Sequence, residues 1–381
     1  MRSLMPKESA RIIASLSKNV TVEEKGVNDL AFAVLEGLKK NVISVNNFSQ
    51  IQFHPSSKHP KAVDWIFFLD TLNYSFWSKK DFPKWTVNGQ TGYFALCAAV
   101  KRAIDEGKEI IDPKYYSQIT VAEVDEIFRG DNEIPIPLLD ERVKSLRDTG
   151  KVLLEKYDGT FTTCIERCSR SAEQLLKLVA DDFESYRDEA VYEVAGARHE
   201  VSFYKRAQIL VGDIWACFKG EGIGAFKDID CITMFADYRV PQVLVYFGAM
   251  RYSDDLLKRL QSAGPKWRTV DNIVFRISSM LKPFVVLFHW AKRKNLSLQA
   301  ARNVELENGS QDEIEIRGCS IEAVERVSDK VKALIESDPD LKLNETDINA
   351  ILIDHFLWDY RREHADELEF IPFHKTRCIY Y

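Results

Sequence analysis

Residues 218–260, FKGEGIGAFKDIDCITMFADYRVPQVLVYFGAMRYSDDLLKRL, decide the fold class because they place a glycine-spaced turn between helical segments. Gly220, Gly222 and Gly224 follow the apolar stretch QILVGDIWACF, whose spacing predicts a helix. No strand leads into these glycines, and the third falls too early for a dinucleotide-binding fingerprint. The pattern instead predicts a hairpin between two short helices, whose backbone amides can hold a phosphate or position the next helix.

The rest of the chain also favours helices. Apolar residues recur three and four positions apart in residues 26–42, 173–190 and 321–337, and residues 341–360 predict a helix that Asn344 or Thr346 opens. Strand patterns are few. Asn88-Gly89 predicts a hairpin within residues 84–94, and weak alternation predicts a second one within residues 191–204. The sequence therefore predicts a mainly α fold with small β-hairpins.

Composition narrows the class of protein. The 381 residues are 45% hydrophobic and 29% charged, which is typical of a globular protein rather than a disordered one. No apolar run reaches the roughly 18 residues that span a bilayer, and the N-terminus has no signal core. Seven cysteines without a C-x-x-C pair favour a reducing cytoplasm. The net charge of −6 argues against long nucleic acid as a partner, and no membrane or obligate protein partner is expected.

One globular domain with two lobes is expected. The loop GDNEIPIP at residues 130–137 divides a lobe of about residues 1–135 from one of about 136–381. Residues 265–304 carry eight basic residues and one acidic residue in this acidic chain. We interpret this segment as an atypical basic insertion at the periphery, which a short linker can replace; a tether to a membrane surface or a nucleic acid is the alternative.

Asp237 is the candidate catalytic residue. It stands just ahead of Pro241, which suits the first turn of a helix, so its carboxylate can cap that helix. Tyr238 and Arg239 place an aromatic ring and a guanidinium beside it. A glycine hairpin followed by such an aspartate resembles the helix-hairpin-helix DNA glycosylases, in which the aspartate stabilises positive charge on a sugar. The spacing from hairpin to Asp237 is shorter here.

A more specific resemblance covers nearly the whole chain, from about residue 6 to residue 381 apart from 265–304. The sequence resembles the queuosine salvage family through DTLNYSFW at 70–77, SFYKRAQIL at 202–210, ITMFADYRVPQ at 232–242, EIRGCS at 315–320 and RCIYY at 377–381. Members of this family are queuosine 5′-phosphate N-glycosidases. The resemblance implies hydrolysis that releases queuine, for salvage into tRNA modification, and leaves ribose 5-phosphate. It also implies a helical fold related to the DNA glycosylases, a nucleotide pocket between two lobes, and no metal or cofactor.

The chemistry of such a substrate assigns roles to the remaining candidates. A carboxylate at Asp237 would stabilise the oxocarbenium-like sugar, and Asp70 or Asp230 would assist departure of the base. A phosphate needs cations, which Tyr204-Lys205-Arg206 supplies at the start of a predicted helix, with Lys205 as the favoured contact. The expected substrate-binding residues are Asp70, Asn73, Phe76, Trp77, Tyr204, Lys205, Asp228, Asp230, Tyr238, Arg239 and Tyr381.

The roles at the base rest on spacing. Asp70, Asn73 and Trp77 are expected on one helical face against a purine-like ring, with Phe76 beside them. Asp228 and Asp230 are expected near the cationic amine of queuine. Two other functions stay open: a polynucleotide glycosylase that uses the same aspartate, and a carrier that binds the modified nucleotide without catalysis. A basic strip leading to the site would favour the first, and tight binding without turnover would favour the second.

Overall fold

A computed structural model describes residues 4–78, 82–261 and 304–381. The α-helices of these ranges are α1 (Pro6–Leu16), α2 (Glu24–Lys39), α3 (Ala62–Thr71), α4 (Tyr93–Asp105), α5 (Pro113–Tyr116), α6 (Val121–Ile127), α7 (Leu139–Lys156), α8 (Phe161–Arg167), α9 (Ala172–Asp182), α10 (Lys205–Cys217), α11 (Val240–Tyr246), α12 (Asp254–Gln261), α13 (Gln311–Ser337), α14 (Ala350–Glu363) and α15 (Ala365–Leu368). The strands are β1 (Val20–Val22), β2 (Thr86–Val87), β3 (Gln90–Thr91), β4 (Glu189–Val194), β5 (Ala197–Ser202) and β6 (Met250–Tyr252).

The predicted fold class is confirmed, because helices dominate and the strands form only two-stranded antiparallel sheets within the described ranges. Both predicted hairpins are present, as β2–β3 and β4–β5. Asn88 and Gly89 adopt the positive φ angles, 51° and 68°, that a tight two-residue hairpin turn requires. None of the described helices has the length and hydrophobicity needed to cross a membrane. The basic segment 265–304 lies outside the described residues except for its last residue.

Helix boundaries differ from the sequence prediction at two places. The helix expected over residues 173–190 ends at Asp182, because Phe183 leaves the helical conformation and buries its ring against Phe67 and Phe161. The helix expected to open at residue 344 or 346 begins at Ala350. Its N-cap is Asn349, whose side chain accepts a hydrogen bond from the backbone N–H of Leu352 at 3.1 Å.

The end of α3 corrects the prediction that residues 70, 73 and 77 share one helical face. The helix ends at Thr71, so Asn73 and the residues after it follow an irregular path. Two buried arginines donate hydrogen bonds to the backbone carbonyl groups at this end of the helix. Arg206 donates to the carbonyls of Asp70 and Thr71 at 3.1 and 2.7 Å, and Arg142 donates to that of Tyr74 at 2.6 Å. These contacts replace the next helical turn and turn the chain away from the helix axis.

The hydrophobic core of the described ranges has two clusters. The first is built around α3, α4, α7, α9 and α10, and the second around α1, α2, α11, α13 and α14. Each cluster contains residues from both sides of residue 135. The division of the chain into two lobes at that residue stays a prediction.

A close backbone contact fixes the second cluster. β1 pairs with β6, and the N–H of Glu23 donates to the carbonyl of Ala249 at 2.9 Å. This pairing brings the first turn of α2 against the segment that follows α11. A Cβ atom on Gly26 would lie well inside van der Waals contact with the backbone of Gly248 and Ala249. Glycine is therefore required at this position for the close approach of two backbones.

We expect Gly26→Ala to destabilise the protein by about 3 kcal/mol, since the added methyl group meets backbone rather than a movable side chain. The matched control is Gly37→Ala on the same helix, where the Cβ atom meets the end of the flexible Ile43 side chain. The measurement is the free energy of unfolding in urea. Equal stability changes in the two variants would contradict the close backbone approach.

The contact between α3 and α10 buries two carboxyl groups, Asp70 and Asp213, which are 0% and 7% exposed. Burial raises the pKa of Asp213 to about 7, and a hydrogen bond from the Tyr93 hydroxyl at 3.5 Å opposes this. Burial also raises the pKa of Asp70 well above its ordinary value, and the negative charge of Asp213 adds to the effect. The interior therefore favours the protonated, uncharged form of both carboxyl groups.

The pH dependence of stability should report this pair. An aspartate titrates near pH 3.9 in the unfolded chain, whereas folded Asp213 titrates near 7, so the folded state binds the extra proton between these values. Stability is thus lost as pH rises from about 4 to 7. Asp213→Asn should reduce this loss by on the order of 2 kcal/mol, measured by urea unfolding at several pH values. The control is Asp329→Asn, which changes an exposed acid on α13 and should leave the pH dependence of the unfolding free energy as in the wild type. If Asp213→Asn also showed the wild-type pH dependence, the assignment to Asp213 would be refuted.

Candidate functional site

A cavity of about 290 Å³ lies between the segment that follows α3, the β2–β3 hairpin, and the helices α4, α11 and α14. Its lining comes from elements of both hydrophobic clusters. It includes most of the sequence-predicted site residues and several that the sequence analysis did not single out. The lining residues are Asn73, Tyr74, Ser75, Phe76, Gly89, Gln90, Thr91, Gly92, Tyr93, Phe94, Lys205, Asp237, Tyr238, Arg239, Trp358, Arg362 and Tyr381.

Asp237 lies at the cavity wall, just ahead of α11. Its Oδ1 accepts hydrogen bonds from the backbone N–H groups of Arg239 and Val240, both at 2.8 Å. The capping geometry predicted from sequence is therefore present, and it fixes the orientation of the carboxylate. Because the side chain also lines the cavity, the cap and a chemical role are compatible.

Lys205, the first residue of α10, places its side chain in the same cavity although it is only 9% exposed. Burial lowers the pKa of Lys205, while the carboxylates of Asp237 and Asp354 oppose that effect. Asp354 of α14 holds the loop that leads to Asp237, since its Oδ1 accepts from the backbone N–H of Phe235 at 3.0 Å. Burial raises the pKa of Asp354 well above its ordinary value, and the charge of Asp237 raises it further.

A buried arginine joins the walls of the site. The guanidinium of Arg317 donates to the Asp188 carboxylate at 2.9 Å, to Glu313 at 3.2 Å and to the carbonyl of Ala236 at 3.1 Å. Ala236 directly precedes the candidate catalytic residue. Burial alone would lower the pKa of Arg317, but the two carboxylates raise it above its ordinary value.

Aromatic side chains form the other walls. Phe76 stacks on Trp85 with ring centroids 6.4 Å apart, and Tyr238 stacks on Phe373 at 6.0 Å. Tyr381 is almost fully buried, and its hydroxyl donates to Glu313 at 2.8 Å. The C-terminal tail is thus docked into the cavity wall.

Several predicted residues lie outside the cavity lining. Asp70 lies immediately behind it, where Oδ1 accepts a long hydrogen bond of 3.4 Å from Asn73 and Oδ2 has no partner among the described residues. Trp77 faces the C-terminal tail and donates to the carbonyl of Thr376 at 3.1 Å. Tyr204 donates its hydroxyl hydrogen bond to Glu189.

Asp228 and Asp230 are not brought to the cavity. Asp228 accepts hydrogen bonds from the N–H of Ala172 at 2.6 Å and from Ser171 at 2.7 Å, so it caps α9. Asp230 is exposed and forms an ion pair with Lys332 at 2.8 Å. Both lie within ten residues of Asp237 in sequence, but a 3₁₀ turn at residues 229–231 and an extended segment separate them from it.

A turn is present at the glycine-spaced residues, but the prediction of a second short helix after it is wrong, because the next α-helix begins only at Val240, and the turn does not line the cavity. α10 ends at Cys217, and residues 222–224 form a single 3₁₀ turn. The N–H groups of Gly220 and Gly224 donate to the carbonyls of Trp215 and Glu221. These two amides are therefore used within the turn, and the predicted phosphate role of this turn has no geometric support in the described residues.

The sequence analysis did not single out the site residues of α4 and α14. Asp354, Trp358 and Arg362 recur at four-residue spacing along α14, and Trp358 and Arg362 reach the cavity. Asp354 and Asp213 could have been identified from the sequence, because each is an acidic residue within an otherwise apolar helical stretch, and acidic residues are seldom buried. No group of three or more metal-ligating side chains occurs in residues 4–78, 82–261 and 304–381.

Comparison with known proteins identifies the family. The family model described as queuosine salvage protein matches residues 53–265 and 274–381. The match is interrupted at residues 266–273, inside the basic segment 265–304, and resumes at residue 274. The interpretation of this segment as a peripheral insertion stays a prediction.

Full-length relatives agree with this match. The chain is 41% identical to the queuosine 5′-phosphate N-glycosylase/hydrolase of Mus musculus and 37% identical to that of Nematostella vectensis, each over 99% of both chains. It is 35% identical to the protein of the same name from Sphaerobacter thermophilus, over 87% of this chain and 84% of the relative. The chain therefore belongs to the queuosine salvage protein family.

Proposed function

We propose that this chain hydrolyses the N-glycosidic bond of queuosine 5′-phosphate and releases queuine and ribose 5-phosphate. The observation that carries the proposal is the juxtaposition of Asp237 and Lys205 in a cavity with aromatic walls. A carboxylate suits the positive charge that develops on the sugar, and a buried ammonium suits an anionic substrate. The names of the full-length relatives support the same substrate.

Asp237 acts on the sugar. As the glycosidic bond breaks, positive charge builds on C1′ and the ring oxygen, and a fixed carboxylate lowers the energy of that state. The two backbone N–H groups that bind Oδ1 hold the carboxylate in place without a change during the reaction. The same carboxylate can orient the water that attacks C1′.

Phe76 and Asn73 line the cavity and act on the base. The ring of Phe76 offers a flat apolar face, and Asn73, which donates to Oδ1 of the fully buried Asp70, offers its amide to the edge of the base. A purine-like base presents donors at its edge and a face that stacks on aromatic rings. Asp70 does not line the cavity, so its assistance to departure of the base would act through Asn73 rather than by direct contact. Asp230 is too exposed for this role.

The two alternative functions differ in what they require of the site. A cavity of about 290 Å³ is of small-ligand size, which supports a mononucleotide over a polynucleotide. The net charge of −6 argues in the same direction. A carrier requires no charge at position 237, whereas hydrolysis does, so a variant at that position separates the two.

Asp237→Asn should lower kcat by at least about a hundredfold while the variant still folds and binds substrate. The amide oxygen can still accept the hydrogen bonds from α11, but the negative charge is lost. The measurement is queuine release from queuosine 5′-phosphate under single-turnover conditions. Asp64→Asn is the matched control, because Asp64 accepts from the first N–H of α8 at 2.8 Å and does not line the cavity. Wild-type turnover in Asp237→Asn would remove this residue from the mechanism.

Lys205→Met should weaken the mononucleotide about tenfold to a hundredfold more than the nucleoside queuosine. Methionine retains an apolar side chain at this buried position but offers no positive charge to a phosphate. The measurement is the ratio of kcat/KM for the two substrates. An equal loss on both substrates would mean that Lys205 does not contact the phosphate.

A further inference from the structure

The segment of residues 73–78 reaches the cavity although it belongs to no helix or strand. Its first four residues, from Asn73 to Phe76, are part of the cavity lining. Ser75 adopts a φ of +52°, a left-handed conformation that is unfavourable for a residue with a Cβ atom. Such a conformation persists only where the surrounding structure holds it. The contacts that hold this segment therefore determine how its side chains are presented to a substrate.

The main contact of this segment with the C-terminal tail, residues 375–381, is made by Arg377. Its guanidinium donates to Oγ of Ser75 at 3.0 Å and to the carbonyl of Trp77 at 3.1 Å. The same group lies over the indole of Trp77, with Cζ 3.5 Å from the ring centroid. The indole N–H in turn donates to the carbonyl of Thr376 at 3.1 Å. Arg377 and Trp77 thus join the two pieces of chain through both ring and backbone.

Two further hydrogen bonds join the same two pieces of chain. The ammonium of Lys375 donates to the carbonyl of Ser78 at 2.9 Å. The N–H of Ser75 donates to the carbonyl of Tyr381 at 3.2 Å. The tail is itself fixed, because the N–H of Lys375 donates to the carbonyl of Val304 at 2.9 Å. It can therefore support the segment that precedes it in space at the cavity wall.

Arg377 is a support that can be removed without disturbing the interior. It is exposed, whereas Arg142, which binds the carbonyl of Tyr74 in the same segment, is fully buried. In the described part of the chain, the hydrogen bonds of the Arg377 guanidinium all go to residues 73–78. Arg377 does not line the cavity, so its effect on a substrate must act through residues that do.

We propose that Arg377 is a positioning residue. From the tail it holds the segment 73–78 in the conformation that presents Asn73 and Phe76 to the base of the substrate. The assignment of these two side chains to the base rests on the proposed function. Asp237 is held separately by the backbone N–H groups at the start of α11, so Arg377 affects the base and not the sugar.

Binding of the two reaction products to the full chain separates the base from the sugar. Arg377→Ala should bind queuine about tenfold more weakly than the wild type, because the segment loses two hydrogen bonds and the stacked guanidinium. Binding of ribose 5-phosphate, measured by the same isothermal titration, should be unchanged. An unchanged Kd for queuine, or an equal loss for both ligands, would overturn the proposal.

The matched control is Arg326→Ala. It removes an exposed arginine of α13 that pairs with Glu322 at 2.8 Å and does not line the cavity. This variant should bind both queuine and ribose 5-phosphate as the wild type does, since it leaves the segment 73–78 and the tail unchanged.

Steady-state kinetics distinguish positioning from a general loss of structure. A contact that is equally strong before and during bond breakage changes KM rather than kcat, so Arg377→Ala should raise KM for queuosine 5′-phosphate about tenfold at the wild-type kcat. Arg377→Lys keeps the charge over Trp77 but gives up one hydrogen bond, and should raise KM only about threefold. If Arg377→Ala does not fold, Arg377→Lys decides, and a wild-type KM would then overturn the proposal.

Hydrogen exchange tests the positioning without a ligand. In Arg377→Ala the amides of residues 73–78, including the N–H of Ser75, should exchange at least about fivefold faster than in the wild type. Peptides from α4 and α11 should exchange as they do in the wild type. Faster exchange across the whole chain would show a general loss of stability and would overturn the proposal.

Failure of the positioning role and failure of the proposed function are distinguishable. If the wild type releases no queuine but residues 73–78 exchange faster in Arg377→Ala, the role of Arg377 in holding this segment stands and the proposed function is wrong. If the wild type releases queuine while Arg377→Ala matches it in both KM and hydrogen exchange, the function stands and the positioning role is wrong.

Discussion

The buried guanidinium of Arg317 is the contact on which the geometry of the site depends. It binds Asp188, Glu313 and the carbonyl of Ala236, and it is only 1% exposed. Each partner leads to a different wall of the cavity. Asp188 also accepts from the N–H of Lys205, Glu313 accepts from Tyr381, and Ala236 precedes the candidate catalytic residue. One side chain of α13 therefore connects the starts of α10 and α11 with the C-terminal tail.

Such a cluster is not an efficient way to stabilise a fold. Desolvation of buried charges often costs as much as their attraction returns, and well-packed apolar residues are as stable or more so. What the cluster does is hold three acceptor groups in fixed positions, because the planar guanidinium of an arginine presents several directional donors at once. The same reasoning applies to Asp70 and Asp213, which the interior holds at an energetic cost. Several of these buried charges lie at or directly behind the wall of one cavity, where the binding of a substrate can offset part of the cost of burying them.

Local sequence was enough to predict part of this arrangement. Asp237 was identifiable because its capping position, Pro241 and the aromatic neighbour all lie within five residues, and Lys205 because it begins a helix. The two hairpins and the dominant helices followed from periodicity and turn residues. Asp228 and Asp230 were assigned to the site because they are close in sequence to Asp237, but a short turn directs them to a helix cap and to the surface. Across an irregular segment, closeness in sequence does not determine whether two side chains lie at the same site.

The remaining features depend on contacts between distant segments. α3 ends early because Arg142 and Arg206, far along the chain, take its carbonyl groups. Trp358 and Arg362 reach the cavity because α14 packs beside α11, which no local pattern encodes. The pairing of β1 with β6 joins three-residue strands more than 200 residues apart. These contacts belong to tertiary packing, so single-sequence periodicity could not predict them.

The most direct test of the account identifies which bond of the substrate is broken. The full chain is incubated with queuosine 5′-phosphate, and the products are separated by chromatography, then identified and quantified by mass spectrometry. The account predicts equal amounts of free queuine and ribose 5-phosphate, with no queuosine and no inorganic phosphate. Queuosine with inorganic phosphate, or recovery of intact substrate bound to the protein, would contradict it.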